Sequence, residues 1–191
     1  MRTVQIPSRS RGFTLIEMVV VIAMMGILLA IAIPRLAKTA KTRVGQSAQQ
    51  LAQDLELART RALTTRSAVR VTFDAVAKTY RPYLDFNRDS VFAQSQAEND
   101  SARAFSFRTL QTGVSFARAG GIPDLPILPG AGAITLTSSR VDFDSRGLTT
   151  PFGSKGVIYL NESSDPTAVA AVSVTAASGI RVWIYKGGVW Q

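Results

Sequence analysis

An almost unbroken apolar run from Phe13 to Ile33 carries one charge, the carboxylate of Glu17, in its first turns. About twenty consecutive apolar residues suffice for a helix to span a bilayer. A charge inside such a segment costs on the order of 2.5–3.5 kcal/mol on insertion scales, and intramembrane carboxylates are functional as a rule. A short leader with Arg2, Arg9 and Arg11 precedes the run and ends in Gly12. One element is therefore fixed before any other. It is an N-terminal membrane helix, with the bulk of the chain on its far side.

The order of these parts separates the segment from a secretory signal. A signal peptide runs from basic residues to an apolar core and then to a small-residue cleavage site. Here the small-residue junction, Gly12-Phe13, lies before the core, and no A-x-A-like site follows it. Cleavage at Gly12 would remove the polar leader and keep the helix. Gly12, Phe13 and Glu17, with Thr14-Leu15-Ile16 between them, resemble the class III leader of type IV pilins and type II secretion pseudopilins. The resemblance implies a membrane peptidase that cuts after Gly12 and methylates the new N-terminal Phe13. It also implies a role for Glu17 in assembly, through attraction to the N-terminal amine of a neighbouring subunit.

Charge and composition narrow the function classes. The chain has 191 residues and a formal charge of +9, with no cysteine and no histidine. Thiol chemistry is excluded, and the commonest general base and metal ligand is missing. Segment 34–70 holds eight basic and two acidic residues, whereas 71–191 holds eleven basic and ten acidic. The basic excess thus belongs to the leader and to the helix leaving the membrane. A nearly neutral head of about 120 residues offers little counterion release to nucleic acid, yet is large enough to bury a core. Basic residues flank the apolar run on both sides, so the positive-inside rule does not set its orientation. The resemblance does: leader in the cytoplasm, head in the periplasm of a bacterial inner-membrane protein.

Beyond Pro34 the pattern is amphipathic. Val44, Ala48, Leu51, Leu55, Ala58 and Ala62 recur at steps of four and three and share one helical face. The spacing predicts one long helix from about Thr14 to about Thr65, with a weak point between Gly26 and Pro34. Period-two segments follow at Val69–Phe73, Tyr80–Leu84, Ala104–Arg108, Val114–Ala117, Ile134–Thr137, Arg140–Asp144, Gly156–Leu160, Val169–Thr175 and Ile180–Tyr185, with a final edge at Val189-Trp190. The strands at 104–108 and 114–117 are expected to pair around Gln111-Thr112-Gly113. Segments 91–103 and 119–133 read as loops, the second exposed because of its glycines and prolines.

The predicted class is α+β, a long N-terminal helix packed on an antiparallel sheet. The expected divisions are a leader at 1–12, a membrane and assembly helix at 13–33, a stem at 34–66 and a β-rich head at 67–191. Ala58-Arg59-Thr60-Arg61-Ala62, Val141-Asp142-Phe143-Asp144-Ser145-Arg146-Gly147 and Gly179-Ile180-Arg181 resemble the minor pseudopilin H family and its minor-pilin relatives. That resemblance implies a non-catalytic subunit without cofactors. Its partners would be the prepilin peptidase, other pilin or pseudopilin subunits, the inner-membrane assembly platform and the lipid bilayer. A type IV pilus minor pilin for pilus assembly or DNA uptake is the alternative within the fold. A membrane-anchored periplasmic enzyme is the alternative outside it.

Three further constellations stand out in the sequence. Asp85-x-Asn87-x-Asp89 has the start of a calcium loop but carries Ser90 and Gln96 where an EF-hand needs glycine and glutamate. It reads as a turn, and no metal site is expected. Arg181 and Lys186 are the candidate nucleic-acid contacts, set beside Gly179-Ile180 where DNA-binding minor pilins carry a Gly-Arg-x-Arg pattern. Here the arginine doublet is missing. Trp183, Tyr185 and Trp190 are expected to pack the last strand on the sheet. No nucleophile–base spacing and no phosphate loop is present.

Overall fold

The computed structural model describes residues 13–36, 39–92 and 108–191, and the chain divides after Lys38 into two compact units. The first contains helix α1, Leu15–Leu36. Its side chains from Phe13 to Leu29 are exposed on every face. Among the described residues no helix is long and apolar enough to cross a membrane. The span expected at 13–33 includes 30–33, whose side chains lie outside the described residues.

The second unit opens with helix α2, Ala40–Thr65. The expectation of a single helix from Thr14 to Thr65 is corrected here. Thr39 is extended, with φ −67° and ψ 154°, and its hydroxyl accepts from the Thr42 amide at 3.3 Å. A threonine that can cap a new helix offers the backbone an alternative to continuing the old one. Gly26 and Pro34, the expected weak points, both lie within α1.

The six predicted core positions of α2 are all buried. They face two antiparallel sheets. Strands β1 (Val69–Asp74), β2 (Thr79–Leu84), β3 (Arg108–Thr109), β5 (Arg140–Phe143) and β6 (Thr149–Thr150) form the first, ordered β3-β2-β1-β5-β6. Strands β4 (Val114–Phe116), β7 (Gly156–Glu162), β8 (Asp165–Val174), β9 (Ile180–Lys186) and β10 (Val189–Trp190) form the second, ordered β10-β9-β8-β7-β4. In β1 the residues Val69, Val71 and Phe73 point inward, by the two-residue period of a half-buried strand. They join Tyr80, Val141, Phe143, Ile158, Leu160, Ala170 and Val172 in one core against α2.

Three sequence expectations change. The strands around Gln111–Gly113 do not form a hairpin. Arg108 and Thr109 pair with Tyr80 and Thr79 of β2, whereas Val114–Phe116 pairs with β7, so the turn carries the chain from one sheet to the other. Residues 104–107 of the expected strand, and 93–103 of the expected loop, lie outside the described residues. Ile134–Thr137 makes one isolated bridge, Ile134 to Ile158, and then a 3₁₀ turn at Thr137–Ser139. Ser138 and Ser139 hold φ of 55° and 48° there, which ends any strand.

The third change is the segment 119–133, which is not simply an exposed loop. Ile122, Leu125 and Leu128 are buried, and the latter two pack on Val157, Tyr159 and Ala171 of the second sheet. The segment is a strap over that sheet's outer face, which is why every residue of β7 is buried. Arg118 fastens it, donating from Nε and Nη2 to the Ile122 carbonyl at 3.2 and 2.9 Å and pairing with Asp124. Glycine and proline report backbone punctuation, not exposure. The apolar residues at 122, 125 and 128 carried the burial signal.

Candidate functional site

The candidate site is the first turn of α1. Gly12 lies outside the described residues, as does the leader. Thr14 precedes the helix, and its hydroxyl accepts from the backbone amide of Glu17 at 3.3 Å. Its carbonyl accepts from Met18 at 3.2 Å. Thr14 is therefore the N-cap, and Glu17 stands at the third helical position of a Thr-x-x-Glu capping sequence. A carboxylate in the first turn is favoured by the positive end of the helix dipole. The sequence held this signal in the spacing of Thr14 and Glu17. Phe13, the expected new N-terminus, precedes that cap directly and is 70% exposed.

The other candidates are placed apart from this turn. The Arg181 guanidinium lies over the Trp183 ring at 5.3 Å, and Lys186 is exposed at the end of β9. Trp183 and Trp190 pack against the strap cluster. Trp190 donates to the Pro123 carbonyl at 3.1 Å and meets Tyr185 edge-on at 5.2 Å. These aromatics therefore do pack the last strands. Asp85 accepts from the amides of Asp89 and Ser90 at 3.1 and 2.9 Å, and Asp89 accepts from Val91 at 2.8 Å. The carboxylates are engaged with backbone, and among the described residues no group of His, Cys, Asp or Glu is arranged to hold a metal.

Three polar contacts that bind α2 to the sheets were not read from the sequence. Arg43 forks onto Glu162, Nε to Oε2 at 3.1 Å and Nη2 to Oε1 at 2.5 Å, and Ser164 donates to Oε1 at 2.8 Å. The Arg43 and Ser164 hydrogen bonds hold the Glu162 carboxyl below its ordinary value. Asp54 accepts from Tyr80 Oη at 2.5 Å, Arg108 Nε at 3.2 Å and Gln50 Nε2 at 3.2 Å. Burial, and then the bond to Asp54, push the Tyr80 phenol up. Arg59 donates to the Gly147 carbonyl at 3.0 Å. Only long-range pairing shows these partners, and no local spacing reports it.

Comparison with known families settles what the arrangement belongs to. Residues 7–33 match the prokaryotic N-terminal methylation motif, a stretch that includes Gly12, Phe13 and Glu17. Residues 47–179 match the type II transport protein GspH. The chain belongs to the GspH family. Its fold is pilin-like α+β, and the GspH family is one of structural pilin-like subunits. Among solved structures, the type IV minor pilin FimU of Pseudomonas aeruginosa PAO1 shares 13% identity at a TM-score of 0.49, over 78% of this chain and 92% of that one. The minor pseudopilin EpsH of the Vibrio cholerae type II secretion system shares 13% at 0.49, over 78% and 100%. No curated protein matches the chain.

Proposed function

We propose that this GspH-family chain is a non-catalytic minor pseudopilin of a type II secretion system. It is cut between Gly12 and Phe13 and methylated at Phe13. It is then held in the inner membrane by its N-terminal helix, with the leader cytoplasmic and the head periplasmic. The assembly platform extracts it from the bilayer into a pseudopilus. The observation that carries the reading is the methylation motif across the Gly12-Phe13 junction, followed in the same chain by the GspH match. A helix apolar on all its exposed faces supports it, because such a helix requires lipid or other helices around it.

Glu17 supplies the assembly chemistry in this reading. After cleavage the chain begins with an amine at Phe13, one turn before Glu17. A neighbouring subunit's amine, brought beside the Glu17 carboxylate, would neutralise two charges that are costly apart in lipid. The test is crosslinking of processed subunits to other pilin-like subunits, together with a secretion assay. Glu17→Ala and Glu17→Gln are expected to insert and be cleaved normally, yet to lose incorporation and secretion. Normal crosslinking and secretion in both variants would reject the charge-pair role.

A further inference from the structure

The second sheet has a half-open edge. Strand β10 covers only part of the free side of β9, pairing Val189 with Lys186 and Trp190 with Tyr185. The last pair is Gln191 with Ile184, which exchange both backbone bonds, at 2.8 and 3.1 Å. On its other side β9 pairs with β8 from Ile180 to Ile184. Among the described residues no strand lies beside Ile180–Trp183 on the β10 side. In an antiparallel strand the backbone groups that bond to one side recur at every second residue. Ile184 bonds toward β10, so the N–H and C=O groups of Val182 and Ile180 point the same way. Such an edge is a template for another strand.

The side chains specify what that strand carries. Ile180 and Val182 pack half-buried against the core beside α2. Arg181 and Trp183 alternate with them onto the opposite face, where Trp183 joins the strap cluster. The Arg181 guanidinium lies over the Trp183 ring at 5.3 Å, on the sheet face and not across the edge. Both charges on β9, Arg181 and Lys186, are positive. The register of β10 carries an added strand past Trp183, Val182, Arg181 and Ile180 in turn. Its residues opposite Val182 and Ile180 exchange backbone bonds and share the apolar face. Its residue opposite Arg181 falls in a non-hydrogen-bonded pair, where side chains approach closest, so a carboxylate is favoured there and a cation disfavoured. We infer that the open edge of β9 receives an extended segment of a partner protein, antiparallel to β9, with a carboxylate between two apolar residues. Main-chain bonds supply the affinity and the alternating side chains the specificity, which neither lipid nor nucleic acid reproduces. The inference rests on strand pairing and not on processing or Glu17, so the two readings fail separately.

The test is residue-resolved amide exchange of the full chain in detergent micelles. The probe is a blocked Thr-Val-Glu-Val-Thr peptide at millimolar concentration, with Thr-Val-Lys-Val-Thr as its partner. The glutamate peptide is expected to slow exchange at the Ile180 and Val182 amides and to leave Arg181 and Trp183, which already bond to β8, unchanged. The lysine peptide is expected to bind about fivefold more weakly. Arg181 is exposed, so Arg181→Glu leaves the core intact, and it is expected to reverse the order of the two peptides. No slowing at Ile180 and Val182, or slowing spread equally over Arg181 and Trp183, would overturn the edge site. The same peptide preference in wild type and Arg181→Glu would overturn the acidic partner. Slowing at Ile180 and Val182 without peptide, growing with protein concentration, would also overturn it and make a second copy of this chain the occupant.

Discussion

Glu162 sets how the head responds to acid. Its carboxyl is held below the ordinary value of 4.5 by Arg43 and Ser164. A group depressed in the folded state contributes stability above its unfolded value and loses it as pH falls through the folded value. Glu162→Gln keeps the shape but gives up the charge. The variant is expected to melt below wild type near neutrality, with the gap closing as the pH falls through and below the ordinary carboxylate range. Melting curves of both across that window check this, and a gap independent of pH would contradict it. At the other end of the chain, Thr14→Val removes the hydroxyl that caps α1. It is expected to cost the first turn about 1 kcal/mol, read as faster amide exchange at Glu17 and Met18.

At the scale of elements, α2 is the piece on which both sheets are assembled. Leu55 is fully buried against them, and Leu55→Ala is expected to cost roughly 2–5 kcal/mol. The strap makes a sharper test. An exposed-loop leucine would tolerate replacement within about 0.5 kcal/mol, whereas buried Leu125 is expected to lose roughly 2–5 kcal/mol on change to Ala. Chemical denaturation of the full chain in micelles measures both. The seam from Val44 to Ala62 was legible because a helix repeats its contacts at fixed spacing, and Val69–Phe73 because a half-buried strand alternates. The strap's burial signal lay in its apolar residues at 122, 125 and 128, but they sit among turn formers and follow no strand period, so the pattern did not say which face they cover. The break at Thr39 was missed for a related reason. A single capping hydroxyl at Thr39 marks it, and the change there from an all-apolar to an amphipathic pattern is equally compatible with one continuous helix. The sheet switch at Gln111–Gly113 depends on which strands lie alongside, and local pattern is silent about that.

For the molecule as a whole, the two compact units divide the work. Thr39–Gln191 carries its own core and the polar contacts of Arg43, Asp54 and Arg59. The N-terminal unit carries an apolar helix, one carboxylate and a capping threonine, and among its described side chains none is buried in a core. Such a segment has a use only where lipid or other subunits surround it. Gly12, Phe13 and Glu17 are proposed from the sequence, because in the proposed reading processing and insertion act on a segment where local order is all that matters. The central claim is that the cell keeps this helix and discards only the leader. Mass spectrometry of N-terminal peptides from membrane extracts tests it most directly. The account predicts a mature chain that begins at N-methylated Phe13. A chain that still begins at Met1, or one cut near Ile33, would contradict it.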